Sequence, residues 1–318
     1  MRTEKALGHT DLMAIIGHAL CLSKERVLMD PERKLATEEC EKVMGLIAQR
    51  AQGKPLAYIL GEREFYSEPF MVDTRVLIPS PETELAVARA LSILKKKGGQ
   101  ASVLDMGTGS GIIGILLAKE TGARVLSVDV AQEALDVAKE NARGHGVNER
   151  VQLLCSDLFS AFKEGALFDL IVANLPYIPT SQWEALMEDV RNFEPRCALE
   201  GGKRGMEVYE RFLSVAPSFL KRDGFILCEI GGKEQAEEMA RLLSAVGLKT
   251  SIKKDLSGRE RLVEAAWISL SSKAGSASGV RPGWAGQRTR CCPSWLPPCY
   301  RKASSGSATY RASGTSRQ

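Results

Sequence analysis

Residues 103–114 read VLDMGTGSGIIG, and this stretch decides the fold. An apolar run carrying Asp105 passes into a glycine-rich turn and then into the apolar start of a helix. Gly107, Gly109 and Gly111 permit a tight turn and let a ligand approach the backbone closely. Gly109, Gly111 and Gly114 also satisfy the GxGxxG spacing of dinucleotide-binding loops, which is a weak signal alone. Strand, glycine turn and helix in this order open a doubly wound α/β sheet.

Downstream, strand-like and helix-like segments alternate, which predicts a parallel sheet covered on both faces. Strands are expected at 102–106, 124–129, 151–156, 168–173 and 225–230, and helices at 83–97, 111–121, 131–143, 206–220 and 233–246. Segments 248–255 and 260–268 resemble a closing pair of strands, making seven, one more than the usual dinucleotide fold. Upstream, Leu12, Ile15, Ile16, Ala19 and Leu20 mark an amphipathic helix. Cys40, Val43, Met44 and Ile47 mark another over 38–52, with Thr37 as its cap. With a short helix near 23–29, these predict a small helical domain over 1–57. Aromatic and β-branched residues among turn signals predict a β-hairpin linker over 58–80, with the α/β domain at 81–270.

Three acids stand near successive strand ends. Asp129 closes RVLSVD (124–129), where a carboxylate accepts both hydroxyls of a ribose. Asp157 follows the third strand, and Asp105 precedes the glycines, where an amino-acid ammonium would lie. Either NAD or S-adenosylmethionine supplies the ribose, but a methionine moiety gives Asp105 a purpose.

The fourth strand ends in DLIVANLPYIPTS (169–181), so Asn174, Leu175, Pro176 and Tyr177 lie at its carboxyl end beside the cofactor crevice. A planar amine is a poor nucleophile because its lone pair is delocalised. The Asn174 side chain and the Leu175 carbonyl offer two acceptors for its N–H bonds, positioning the nitrogen and stabilising positive charge that develops there. Pro176 stiffens the turn, and Tyr177 offers a ring to pack on the planar group. A tight turn that merely ends a strand is the plain alternative, and the preceding glycine loop and acids favour the amine site.

Composition narrows the class. The 318-residue chain has a net charge of +4, but residues 271–318 hold eight Lys and Arg and no acid, leaving −4 for residues 1–270. A slightly acidic body argues against a nucleic-acid-binding protein. The tail is rich in Ser, Gly, Ala, Pro and Arg without apolar periodicity and reads as disordered. Either an RNA-binding role or a non-native extension fits it. No apolar run is long enough to span a bilayer and no secretory h-region is present, so a cytoplasmic protein is expected. A monomer is the expected state. Cys21, Cys40, Cys155, Cys197 and Cys228 are scattered singly and read as small buried hydrophobes. Cysteine spacing and the three histidines provide no metal site.

The segments DMGTGSG, VD (128–129), SDLF (156–159) and NLPY resemble motifs of class I S-adenosylmethionine-dependent N-methyltransferases. GKPLAYILGEREFY (53–66), VLIPSPETE (76–84), FEPRCALEGGKRGMEVY (193–209) and DLSGRERLV (255–263) are similar to the HemK/PrmC family. That family methylates the glutamine of the GGQ motif in class 1 peptide-chain release factors. The resemblance covers roughly residues 10–268. It implies a seven-stranded, Rossmann-like methyltransferase domain after a helical domain that engages the release factor. Carried over by position, the cofactor loop is Gly107, Thr108, Gly109, Ser110 and Gly111, the ribose acid Asp129, the adenine wall Leu158, and the substrate clamp Asn174 to Tyr177. Neither a membrane nor direct nucleic-acid binding is required.

Three residues depart from the family pattern. Leu175 replaces the first proline of NPPY, Ser80 replaces an arginine, and Leu158 stands where an aromatic is common. NLPY is also typical of ribosomal RNA adenine-N6 dimethyltransferases, which keeps a nucleic-acid enzyme as the runner-up. A nicotinamide dehydrogenase would explain the glycine loop and Asp129 but would leave the amine clamp without a role.

Overall fold

A computed structural model describes residues 8–97, 100–163 and 167–268. The tail expected to be disordered, 271–318, lies outside the described residues. Helices α1 (His9–Leu20), α2 (Lys24–Met29) and α3 (Thr37–Ala51) open the chain. Ile15, Ala19 and Val43 are buried between them, and an Asp11–Arg50 ion pair at 2.7 Å ties α1 to α3. The α3 cap falls one residue before Thr37. Ala36 occupies the cap position and cannot supply an oxygen, so Glu39 reaches back to accept the Ala36 N–H at 3.0 Å.

The linker is partly helical rather than a hairpin throughout 58–80. Helix α4 (Leu56–Leu60) ends on Gly61, and only β1 (Glu62–Phe65) and β2 (Glu68–Met71) pair as an antiparallel hairpin. Between them Tyr66 and Ser67 both adopt positive φ, 55° and 59°, as a two-residue primed turn requires. The helical turn prevails at Tyr58 because its buried phenol donates to the Val76 carbonyl at 2.5 Å.

The remaining elements are α5 (Thr83–Lys97), β3 (Ser102–Met106), α6 (Ile112–Thr121), β4 (Arg124–Asp129), α7 (Gln132–Gly144), β5 (Val151–Cys155) and β6 (Phe168–Ala173). They continue with β7 (Ile178–Pro179), α8 (Glu188–Phe193), α9 (Arg196–Leu199), β8 (Glu200–Gly202), α10 (Glu207–Leu213), β9 (Leu220–Glu229), α11 (Lys233–Ala245), β10 (Leu248–Lys254) and β11 (Glu260–Trp267). Among the described residues seven strands form one sheet in the order β10-β11-β9-β6-β3-β4-β5. β11 alone opposes its neighbours, pairing antiparallel with both β9 and β10. From β3 the chain winds outward through β4 to β5, then returns to build β6 and β9 on the other side. The switch point therefore lies between β3 and β6, where ligands bind in such sheets.

Period-two alternation places the core on both faces. Val103, Leu170, Val172 and Leu227 pack with α5 and α6, whereas Leu104, Ile171, Ile226 and Cys228 pack with α10 and α11. All of Phe168–Ala173 is buried, as a central parallel strand demands. A third cluster joins Ala57, Tyr58, Val72 and Val76 to Ala134 and Val137 of α7, seating the hairpin region on the sheet domain.

Two boundaries differ from the sequence reading. The helix expected over 206–220 stops at Leu213, and a 3-10 turn over Ala216–Phe219 contains Pro217, which has no N–H to extend the ladder. β9 begins at Leu220, lengthened by a bulge between the pairs Phe168↔Leu220 and Leu170↔Phe225. The cysteine expectation fails for most of the five. Cys228 is buried, Cys197 is partly covered, and Cys21, Cys40 and Cys155 are exposed.

Candidate active site

The carboxyl ends of β3, β4 and β6 open onto a cavity of about 590 Å³, a size typical of small-molecule sites. Gly107 to Ser110 form one wall, Asp129 and Leu158 the rim, and Asn174 to Pro176 the opposite wall. Gly111 and Tyr177 do not line it.

The glycine wall is held from beneath. Gly107 and Thr108 both donate N–H bonds to the Val128 carbonyl, at 2.8 and 2.9 Å. Asp105 Oδ2 accepts the Thr108 hydroxyl at 2.6 Å and the Gly114 N–H at 3.0 Å. This corrects the expectation that Asp105 meets an ammonium, since the side chain is wholly buried and braces the loop. Burial pushes its carboxyl up to about 6, against the pull of the Thr108 and Gly114 bonds. Gly114 serves helix packing, because a Cβ there would lie 2.5 Å from Ser127 Oγ and 2.9 Å from Asp105 Oδ2. A Cβ on Gly111 would collide with Ile115 at 2.8 Å.

Gly109, at φ 53°, is different. A Cβ there would meet nothing within 4 Å, so the backbone itself faces open space beside Asp129. Asp129 Oδ2 accepts the Gly109 N–H at 2.9 Å and Oδ1 the Ala131 N–H at 3.0 Å. Each oxygen keeps a second lone pair for a diol. Burial raises the Asp129 carboxyl above its ordinary value, and the backbone donors oppose that rise. Asp157 is paired with Arg211 at 2.7 Å. Leu158 takes a left-handed conformation (φ 49°), with its carbonyl accepting the Ser156 hydroxyl at 2.9 Å. A bare glycine backbone, a fixed carboxylate and an apolar side chain fit the methionine, ribose and adenine parts of S-adenosyl-L-methionine.

On the far wall Asn174 Nδ2 donates to Thr83 Oγ1 at 3.3 Å, which directs the amide oxygen away from Thr83. The Leu175 side chain is buried, and its N–H donates to the Tyr209 hydroxyl at 3.2 Å. That hydroxyl donates in turn to the Glu229 carbonyl at 2.5 Å. The Leu175 carbonyl has no hydrogen-bond donor among the described residues. The Tyr177 ring lies over Gly231, where a Cβ would meet it at 3.0 Å, and its carbonyl accepts from Gln235 Nε2 at 2.7 Å. Burial, with the Glu229 carboxylate, pushes the Tyr177 phenol up. The two walls touch at Gly107, whose Cβ would stand 2.9 Å from both the Asn174 carbonyl and Leu175 Cδ2.

Thr83, Tyr209, Glu229 and Gln235 were not anticipated from sequence. One signal existed. Glu229 ends FILCE, and the strand-end acid rule that selected Asp129 applies to it equally. Near Ser80, where the usual arginine is absent, the Ser80 hydroxyl donates to Glu82, and the Arg261 guanidinium stands 3.6 Å from the same carboxylate.

Comparison with known proteins decides the family. A release factor glutamine methyltransferase of Chlorobaculum tepidum is 41% identical over 268 residues, covering 81% of this chain and 90% of that protein. The chain belongs to the release factor glutamine methyltransferase family. A Nitratidesulfovibrio vulgaris member is 36% identical, covering 78% of this chain and 85% of its own length. The PrmC N-terminal domain family matches residues 6–61, and a methyltransferase domain family matches 103–193. Both glycine wall and amide clamp of this family member lie inside the second match. Among solved structures, the hMettl16 catalytic domain in complex with the MAT2A 3'UTR hairpin 1 shares the fold, with a TM-score of 0.54. It is 14% identical, covering 70% of this chain and 81% of that one.

Proposed function

We propose that this enzyme transfers a methyl group from S-adenosyl-L-methionine to the side-chain amide nitrogen of the GGQ glutamine in class 1 peptide-chain release factors. The observation that carries the reading is the acceptor pair at the switch point. Asn174 has its NH2 drawn toward Thr83, and the Leu175 carbonyl is unclaimed, both on a wall in contact with the glycine loop. S-adenosyl-L-methionine, when bound, supplies an electrophilic methyl group on a sulfonium.

The chain's own residues do the rest. The backbone of Gly107, Thr108, Gly109 and Ser110 holds the amino-acid part, with Gly111 turning the chain into α6. Asp129 accepts the ribose hydroxyls and Leu158 covers the adenine. Asn174 and the Leu175 carbonyl take the two N–H bonds of the glutamine amide and stabilise positive charge on its nitrogen. Pro176 stiffens the turn. Tyr177, held through its carbonyl, fixes the clamp from behind in this structure, so its ring reaches the amide only by turning toward the cavity.

Residues 1–57 form the substrate-recognition unit, 58–80 the linker and 81–270 the catalytic domain. Exposed Leu28, Met29 and Met44 on the helical unit support a protein partner for it. Among the described residues no helix is long and apolar enough to cross a membrane. The enzyme is taken to act as a monomer, on release factors in the cytoplasm. Labelled methyl should pass to a purified release factor and not to a variant whose GGQ glutamine is alanine. Equal labelling of both, or labelling of ribosomal RNA instead, would overturn the assignment.

A further inference from the structure

Behind the clamp lies a carboxylate that the reaction as described leaves unused. Glu229 ends β9 beside the turn after β6, and it is only 3% exposed. Its Oε2 has no hydrogen-bond partner among the described residues. A buried carboxylate with an unpartnered oxygen is costly, and its retention needs a reason. The polar side chains beside it that favour its ionised form are Thr83 and Asn174.

The proton inventory fixes how these three side chains can pair. Thr83 accepts from Asn174 Nδ2, so its single hydroxyl proton is left for Glu229. Asn174 has two N–H bonds, one given to Thr83 and the other available to Glu229. Its amide oxygen is then the one group left to face the cavity. We propose that ionised Glu229 is a positioning residue that locks the Asn174 amide with its oxygen toward the substrate nitrogen, and that protonation of Glu229 releases the lock. A protonated carboxyl can donate to the Asn174 oxygen, so a flipped amide becomes equally well satisfied. Flipped, Asn174 would present N–H bonds to the N–H bonds of the glutamine and repel it. The inference rests on the functional reading above.

The surroundings set the pH range. Glu82, just before α5, raises the Glu229 carboxyl, and Arg261 of β11 lowers it. The Tyr177 phenol, from the turn after β6, and Tyr209, from α10, complete the shell. Burial dominates and pushes Glu229 up to about 7. Turnover should therefore rise with pH through about 7, as the lock forms. Stability runs the other way. The native carboxyl keeps a proton that the unfolded chain releases near 4.5, so this group costs stability progressively as pH rises from 4.5 to about 7.

The test compares unaltered enzyme with Glu229→Gln, using labelled S-adenosyl-L-methionine and a purified release factor between pH 5.5 and 8.5. The unaltered enzyme should show an acid limb in kcat centred near 7. The variant should lose that limb and at least tenfold of kcat, bind S-adenosylhomocysteine within about twofold, and melt no lower at pH 8. A brace with no orienting role would instead lower the melting temperature and leave the limb. Independently of turnover, the Asn174 side-chain amide resonances, identified by their loss in Asn174→Ala, should titrate near 7 and stop titrating in Glu229→Gln. A flat kcat profile in the unaltered enzyme, or an unchanged limb or titration in the variant, would overturn the inference. Absence of any transfer by the unaltered enzyme would overturn the functional reading, and the inference with it.

Discussion

The cavity's two walls are built by different rules. The glycine wall is local. Asp105, the loop and Asp129 belong to one strand–helix–strand unit, and their bonds run to backbone a few positions away or to the adjacent strand. The amide wall is not local. Asn174 to Tyr177 are held by Thr83, Tyr209, Glu229 and Gln235, drawn from α5, α10, β9 and α11. A ligand-binding loop can be specified by a short motif, whereas a reacting group must be placed by several elements at once.

The sharpest separation of the walls is Asn174→Ala. It removes an acceptor aimed at the reacting nitrogen and should lower kcat on the order of 10²–10³-fold. Calorimetry with S-adenosylhomocysteine should show affinity within a few-fold of the unaltered enzyme. A matching loss in both would merge the walls into one unit.

Gly107→Ala attacks the place where the walls meet. The residue sits at φ 76°, and a Cβ would press on the Asn174 carbonyl and Leu175. Overpacking of this kind costs about 1–3 kcal/mol. Cofactor affinity and turnover should fall together, by about tenfold or more, as measured by calorimetry and methyl transfer.

Tyr209→Phe loosens the amide wall alone. It leaves the buried Leu175 N–H without a partner, at a cost of about 1–3 kcal/mol read from denaturant unfolding. Transfer should drop several-fold while S-adenosylhomocysteine binding stays constant. The smallest effect is expected from removing residues 271–318. Transfer and binding should be unchanged, and lost activity in the folded truncation would give the tail a role.

What the sequence revealed follows the same division. The strands and helices of the sheet domain were legible because each carries its own period, as in Phe168–Ala173 and Thr83–Lys97. The glycine loop was legible because a left-handed backbone needs glycine. Asp105 was misplaced, since a strand-end acid reads alike whether it points into a cavity or under a loop. Tyr209 was invisible because nothing local distinguishes a phenol that staples two strands from one that fills a core. The cysteines misled for a related reason, because apolar periodicity marks a face without saying whether another element covers it.

The central claim is that the amide wall, not the glycine wall, determines what is methylated. Tandem mass spectrometry of a release factor after incubation with the enzyme and S-adenosyl-L-methionine tests it most directly. The account predicts a single methyl group on the side-chain nitrogen of the GGQ glutamine, absent when Asn174 is alanine. A methyl group on any other atom, or one that survives Asn174→Ala at the normal rate, would contradict it.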